Sequence, residues 1–192
     1  MIAIVKYNAG NIRSVQNALA RLGHDSIITD NPEELRQADK VVFPGVGEAK
    51  SAMQYLKGKG LDEVIKSLNQ PVLGICLGLQ LMCSTSEESA SDCLSIFPNK
   101  VIKFTGKAII PHMGWNNLET SNGQLLKGIQ AKDDVYFVHS YFAELGEYTT
   151  AVCDYIQPFS AALEKANFYA TQFHPEKSSD IGSQILKNFL DL

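Results

Sequence analysis

The sequence is poor in the features that mark secreted, metal-binding or nucleic-acid-binding proteins. Its 192 residues hold four cysteines, Cys76, Cys83, Cys93 and Cys153, and no two of them have the Cys-x-x-Cys spacing of a zinc site. An intracellular setting is expected, which argues against disulfides, and Cys83, Cys93 and Cys153 are expected to act as small buried hydrophobes. A basic block is also missing. Seventeen Lys and Arg against 21 Asp and Glu leave a net charge of -4, so nucleic acid is not an expected partner. No apolar run approaches the roughly 20 residues that cross a bilayer, and residues 1–6 are too short and wrongly flanked for a secretory signal. The expectation is a soluble cytoplasmic protein without a membrane partner. There is one tryptophan and no repeat or low-complexity linker. With 45% apolar residues, residues 1–192 are expected to form a single domain whose core needs no staple. Nothing in the residues points to a metal or a cofactor.

What is present is a rhythm. Short apolar runs alternate with helix-period segments: residues 2–5, then Ile12, Val15, Leu19 and Leu22 on one helical face, then Ile27-Ile28, then Val41-Val42-Phe43. The alternation predicts an α/β fold with an open, mostly parallel, twisted sheet and helices on both faces. Gly23 stands where a helix C-terminus places glycine, and Asn31-Pro32 reads as an N-cap followed by proline at the first helical position. Pro71-Val72-Leu73-Gly74-Ile75 reads as a strand buried on both faces, with residues 77–83 as the first turns of the next helix. From 100 to 144 the apolar runs are punctuated by glycine, proline and asparagine, which predicts a small stranded middle region of strands and hairpins. Ile181, Ile185, Leu186 and Phe189 then form the stripe of a last helix.

The most informative stretch is Gly74-Ile75-Cys76-Leu77-Gly78, a Gly-x-nucleophile-x-Gly pattern between a strand and a helix. A sharp turn there lifts the side chain above the sheet, and the glycines remove Cβ atoms where backbone must approach closely. The helix start favours the thiolate, and the Leu77 N–H is positioned to donate to an oxyanion. An ordinary buried cysteine is the alternative. Glycines on both sides would weaken a plain strand end and helix start without return, so Cys76 is read as a nucleophile.

A thiol nucleophile needs a proton acceptor, and the choices are His24, His112, His139 and His174. His24 follows the helix-ending Gly23, and His112 and His139 lie in the irregular middle. His174 follows the strand-like residues 168–173 and opens His174-Pro175-Glu176. Carboxyl ends of parallel strands are where catalytic groups collect, and the Cys76 strand ends there too. Glu176 is close enough in sequence to hold the imidazole tautomer and stabilise its charged form. Taken alone the segment is a solvated turn; paired with the elbow it is a base and its orienter.

The elbow and the late His-Pro-Glu together resemble the class I (triad) glutamine amidotransferases. Within them the whole chain is similar to the glutaminase subunits of imidazole glycerol phosphate synthases, through Gly10-Asn11-Ile12-Arg13-Ser14, Pro44-Gly45-Val46-Gly47, Pro111-His112-Met113-Gly114-Trp115-Asn116 and Phe137-Val138-His139-Ser140-Tyr141. The resemblance implies a flavodoxin-like class I amidotransferase fold and a thioester mechanism that releases ammonia from glutamine. It implies Cys76, His174 and Glu176 as the triad, with Leu77 and Val46 supplying oxyanion N–H groups. Gly45 and Gly47 also permit backbone conformations closed to other residues. Glutamine recognition falls to Gly45, Gly47, Gln80, Glu88 and the backbone of His139, Ser140 and Tyr141. On the residues alone, Gln80 reads equally as a helix-surface residue and Glu87-Glu88 as a solvated pair. The implied partner is a (β/α)8-barrel synthase subunit in a heterodimer, which uses the ammonia to make imidazole glycerol phosphate in histidine biosynthesis; Asn11, Trp115 and Lys177 would face it. Trp115 could instead fill the core of the middle region, and Lys177 could be a plain surface lysine. No cofactor and no metal are implied.

Two stretches depart from the family pattern. Lys6-Tyr7-Asn8 stands where Asp-Tyr-Gly is usual, and Cys93-Leu94-Ser95 where Gly-Leu-Gly is expected. Both bear on loop shape and leave the triad untouched. Rival readings are the glutaminase subunit of another amidotransferase, against which residues 111–116 argue, and a non-catalytic binding module of the same sheet architecture, in which His174 and Glu176 would have no role.

Overall fold

The computed structural model describes residues 1–7 and 10–192; Asn8, at the atypical first loop, lies outside the described residues. The N-terminal half alternates as the apolar rhythm predicts: β1 (Ile2–Val5), α1 (Ile12–Arg21), β2 (Ser26–Thr29), α2 (Pro32–Gln37), β3 (Lys40–Gly45), α3 (Ala49–Lys59), α4 (Leu61–Ser67), β4 (Val72–Cys76) and α5 (Leu77–Met82). Local chemistry sets the joints. The Asn31 side chain accepts from the Glu33 N–H at the start of α2, with Pro32 at the first helical position. Gly23, just past α1, has φ 84°, a left-handed residue that ends a helix.

The second half is strand-rich: β5 (Thr85–Ser86), β6 (Ser91–Asp92), β7 (Lys100–Lys103), β8 (His112–Asn117), β9 (Thr120–Ser121), β10 (Asp134–His139), β11 (Tyr141–Ala143), β12 (Thr149–Tyr155), β13 (Gln157–Lys165) and β14 (Phe168–Thr171). A short 3-10 turn, Pro175–Lys177, and α6 (Ser179–Leu190) close the chain. The large sheet has eight strands in the order β2-β1-β3-β4-β14-β13-β12-β9. Pairing is parallel from β2 through β14 and antiparallel from β14 to β9.

Strand residues alternate between two cores, as a sheet covered on both faces requires. Ile2, Ile4, Val42, Leu73 and Ile75 pack with Val15 and Leu19 of α1 and with Ile185, Leu186 and Phe189 of α6. Ala3, Val5, Val41, Phe43 and Val72 pack on the opposite face with Leu35, Met53, Leu56, Val64 and Ile65 of α2, α3 and α4.

The middle region is more divided than its sequence suggests. β8 and β10 form a two-stranded ribbon, β7 and β11 join β5 and β6 in a four-stranded sheet, and β9 extends the large sheet. The expected helix after Cys76 is short, because α5 stops at Met82 and the chain turns into β5.

For the site the decisive feature is register. Gly45 at the end of β3 lies opposite Cys76 at the end of β4, and Thr171 at the end of β14 lies opposite Ile75. Three carboxyl ends therefore meet at one edge of the sheet.

Candidate active site

Cys76 is the last residue of β4 and directly precedes α5, with φ 53° and ψ -105°. A non-glycine residue in such a positive-φ conformation costs on the order of 1–3 kcal/mol and persists only where its surroundings enforce it. Here they do. A Cβ on Gly78 would stand 1.8 Å from the Phe43 carbonyl oxygen, so only glycine lets α5 start against β3. The Cys76 sulfur, 5% exposed as a residue, lies 3.9 Å from the Val138 carbonyl oxygen and 3.7 Å from the Gln172 side-chain nitrogen. The other cysteines are kept as thiols: burial pushes Cys83 up, Cys153 to about 12 and Cys93 to about 11.

His174 follows β14 and is held from two sides. Its N–H donates to the Tyr136 carbonyl at 2.9 Å, and its own carbonyl accepts from the Ser178 hydroxyl, 2.7 Å. That hydroxyl also accepts from the Tyr136 N–H at 2.9 Å, so β10 clamps the turn that carries the imidazole. His174 Nδ1 donates to Glu176 Oε1 at 2.8 Å, both side chains at most 1% exposed. Burial disfavours the charged ring, but the neighbouring Cys76 thiolate, and after it Glu176, outweigh burial and push the His174 pKa up to about 10. The imidazole is therefore held protonated at neutral pH. Among the described residues Nε2 has no hydrogen-bond partner, which leaves this nitrogen open toward the reaction.

Nine expected residues line one cavity of about 170 Å³ above the nucleophile: Val46, Gly47, Cys76, Leu77, Gln80, Glu88, His139, Ser140 and Tyr141. Gly45, opposite Cys76 at the end of β3, is not among the lining residues; a Cβ there would stand 1.9 Å from the Tyr7 hydroxyl. Leu77 is the first residue of α5, where N–H groups lack intrahelical partners. The Val46 carbonyl accepts from the Gly10 N–H at 3.1 Å. Gln80 is not on a helix surface; it is 5% exposed, and its amide nitrogen donates to the Tyr141 carbonyl at 2.8 Å. Glu88 accepts from the Ala49 N–H at 2.7 Å at the start of α3, and burial raises its pKa. A larger hollow of about 1040 Å³ between residues 123–128 and the end of α6 contains neither a nucleophile nor a histidine among its lining residues.

The expected partner-facing residues divide. Trp115 is 54% exposed and Met113 64%, so the core reading of Trp115 fails. Trp115 pairs with Tyr136 across the β8–β10 ribbon, and Lys177 Nζ lies over the Tyr136 ring, 5.9 Å from its centre. These side chains form one surface. Asn11 is half-buried, and its amide donates to Glu176 Oε1. Because His174 Nδ1 already donates to that carboxylate, Asn11 does not donate to the ring and acts as a second group on Glu176. Ser95, where the family pattern has glycine, keeps a positive φ of 56°.

Two further features were not legible in the sequence. Gln172, fully buried on the way from β14 to His174, contacts the sulfur. His112 and His139, expected in irregular chain, lie opposite one another in the β8–β10 ladder, with His112 Nδ1 3.1 Å from His139 Nε2. His139 Nδ1 must donate to the Tyr141 carbonyl at 2.8 Å, so its Nε2 accepts from His112, whose Nε2 accepts from Asn116 at 3.3 Å. The chain is satisfied with both rings neutral, and burial lowers the pKa of His112 to about 4 and of His139 to about 3. Among the described residues no group of three or more His, Cys, Asp or Glu is arranged to hold a metal ion, and no helix is long and apolar enough to cross a membrane.

The family described as glutamine amidotransferase class-I matches residues 3–192. The imidazole glycerol phosphate synthase subunit HisH of Bacteroides fragilis is 57% identical over 100% of this chain and 99% of its own. That of Pasteurella multocida is 47% identical over 99% and 97%. A solved structure described as a glutamine amidotransferase matches with TM-score 0.78 at 18% identity, covering 100% of this chain and 98% of that one; at that identity it speaks for the fold alone.

The histidine pair generates a pH prediction. Folded-state pKa values below the unfolded value of about 6.5 mean that its contribution to stability is complete above about pH 6.5 and is lost as pH falls toward 4 and 3. His174 acts with the opposite sign: its contribution is complete below about pH 6.5 and lost as pH rises through about 10. Urea unfolding between about pH 6 and 4.5 should show His112→Asn with a slope of unfolding free energy against pH lower by about 1.4 kcal/mol per unit, one proton's worth. An unchanged slope would remove the pair from acid stability.

Proposed function

We propose, because this chain belongs to the glutamine amidotransferase class-I family, that it is the glutaminase subunit of an imidazole glycerol phosphate synthase: it hydrolyses glutamine to glutamate and ammonia and hands the ammonia to a synthase subunit in histidine biosynthesis. The observation that carries the reading is the buried line Glu176, His174, Cys76 opening beneath a cavity of about 170 Å³. The similarity to HisH subunits across the whole chain supports the choice of synthase.

In this reading the Cys76 thiolate attacks the side-chain amide carbon of glutamine. The carbonyl oxygen gains the charge and is met by the N–H groups of Leu77 and Val46. His174, already protonated, gives its Nε2 proton to the departing nitrogen; the C–N bond breaks, ammonia leaves and a thioester remains. Neutral His174 then takes a proton from water, whose oxygen attacks the thioester carbon, and the C–S bond breaks to return thiolate, imidazolium and glutamate. Glu176 and Asn11 hold the ring orientation throughout. Glu88 and the backbone of His139, Ser140 and Tyr141 grip the ends of the substrate, with Gly45 and Gly47 leaving room for the loop to approach it.

The partner in this reading is a (β/α)8-barrel synthase subunit forming a heterodimer, and a single domain spanning residues 1–192 docks on it. Support comes from the exposed Trp115 and Met113 on β8 and from Lys177 beside Tyr136, an apolar anchor with a charge at its rim.

Two outcomes are expected. Cys76→Ala should abolish glutamine-dependent synthesis by the assembled complex and leave ammonia-dependent synthesis intact, while Cys83→Ala retains both; equal loss of both activities in Cys76→Ala would refute the assignment. The isolated chain should be a poor glutaminase, because a loop with glycines on both sides of Val46 exchanges peptide orientations at low steric cost and one missing oxyanion donor costs about 10²–10³ in turnover. Hydrolysis is measured with the chain alone, with the barrel subunit, and with synthase ligand added. Full turnover by the chain alone would contradict partner gating.

A further inference from the structure

Side-chain amides have two ends that differ only in which atom donates, and their orientation follows from fixed neighbours. One such neighbour decides a buried chain here. The Tyr141 carbonyl can only accept, so the group 2.8 Å from it must be the nitrogen of Gln80. The second hydrogen of that nitrogen points to Gln172 Oε1, 3.1 Å away. With its oxygen committed to Gln80, Gln172 presents its nitrogen at the other end, 3.7 Å from the Cys76 sulfur. Gln172 is 0% exposed and Gln80 5%, so water does not compete for these groups. The Tyr141 carbonyl is itself held by His139 Nδ1 at 2.8 Å, which leaves the chain no alternative orientation.

We propose that Gln172 is a further catalytic residue of the glutaminase reaction: its amide N–H, aimed by Gln80 and the Tyr141 carbonyl, donates to the Cys76 sulfur and stabilises it as the thiolate. The inference rests on the function proposed above. A sulfur anion accepts an N–H far better than a neutral thiol does, and a bond to a charged acceptor is worth more than one between neutral groups. His174 supplies the opposite charge but also has to move its proton during turnover. Gln172 cannot titrate, so its donation persists while His174 is neutral and the thioester is being hydrolysed, and it favours the sulfur as the leaving group. The same chain ties the nucleophile to the segment that lines the substrate cavity, because Gln80 and Tyr141 belong to both.

Gln172→Met keeps the length of the side chain and removes the donor; Gln172→Glu keeps an acceptor for Gln80 but places no N–H at the sulfur. Both variants are assembled with the barrel subunit and compared with wild type for kcat and KM of glutamine hydrolysis, for ammonia-dependent synthesis, and for the rate at which iodoacetamide alkylates Cys76 at fixed pH, followed by mass spectrometry. The expected result is a kcat lower by about 10- to 100-fold in each, KM within about threefold, alkylation of Cys76 slowed in parallel and ammonia-dependent synthesis unchanged. Should Gln172→Met fail to fold, Gln172→Glu decides by the same readouts. Wild-type kcat with wild-type alkylation overturns the inference, as does a loss confined to KM. A wild-type complex that turns over no glutamine overturns the functional reading instead, and the alkylation rates then still decide whether Gln172 acts on the sulfur.

Discussion

The turn at Cys76 is the constraint on which the rest of the site depends. A strand must end, a helix must start, and the residue between them must take a positive φ of 53° that its side chain disfavours. The turn survives because Gly78 allows α5 to begin against the Phe43 carbonyl and because β3 and β4 are locked in register up to Gly45 and Cys76. The short α5 then contributes every one of its residues to the buried interior. Packing on both faces of the sheet supplies the stability that this local strain consumes.

Charge is the second constraint, and it explains why the neighbouring chain is so heavily tied down. Glu176 and His174 have side chains at most 1% exposed, and a buried charge left without its partner destabilises a protein by about 3–5 kcal/mol. Position is therefore enforced by backbone as well as side chain: Tyr136 and Ser178 clamp the His174 turn, and Asn11 adds a donor to Glu176. β10 contributes to both halves of the site, since Tyr136 holds the base, the Val138 carbonyl approaches the sulfur and His139 lines the cavity. Its ribbon partner β8 carries the exposed Trp115, so the surface read as partner-facing is one strand away from the catalytic groups.

Much of this was legible in the residues because it depends on local chemistry. Strands buried on both faces show as unbroken apolar runs, and Gly23 and Asn31-Pro32 mark helix ends by their own conformational preferences. The elbow was legible because glycine, nucleophile and glycine have a joint geometric meaning. What escaped depends on long-range pairing. Nothing local tells His112 that it faces His139, or that β9, at residues 120 and 121, will extend a sheet begun at Ile2. Gln172 left a faint signal, a polar residue in an apolar strand end, but its contact is with a sulfur 96 positions away. The bond from the Asn11 amide to Glu176 likewise joins residues 165 positions apart and leaves no local signal.

The central claim is that Cys76, alone among the four cysteines, forms a covalent bond with the glutamine side chain. A diazoketone analogue of glutamine tests it most directly, because such a compound alkylates a nucleophile only after binding as the substrate does. The chain, assembled with its barrel subunit and treated with the analogue, is digested and mapped by mass spectrometry, with glutamine present or absent. The account predicts one adduct per chain, on the peptide containing Cys76, suppressed by glutamine. Labelling at Cys93, the cysteine with a partly exposed side chain, or labelling that glutamine does not suppress, would contradict it.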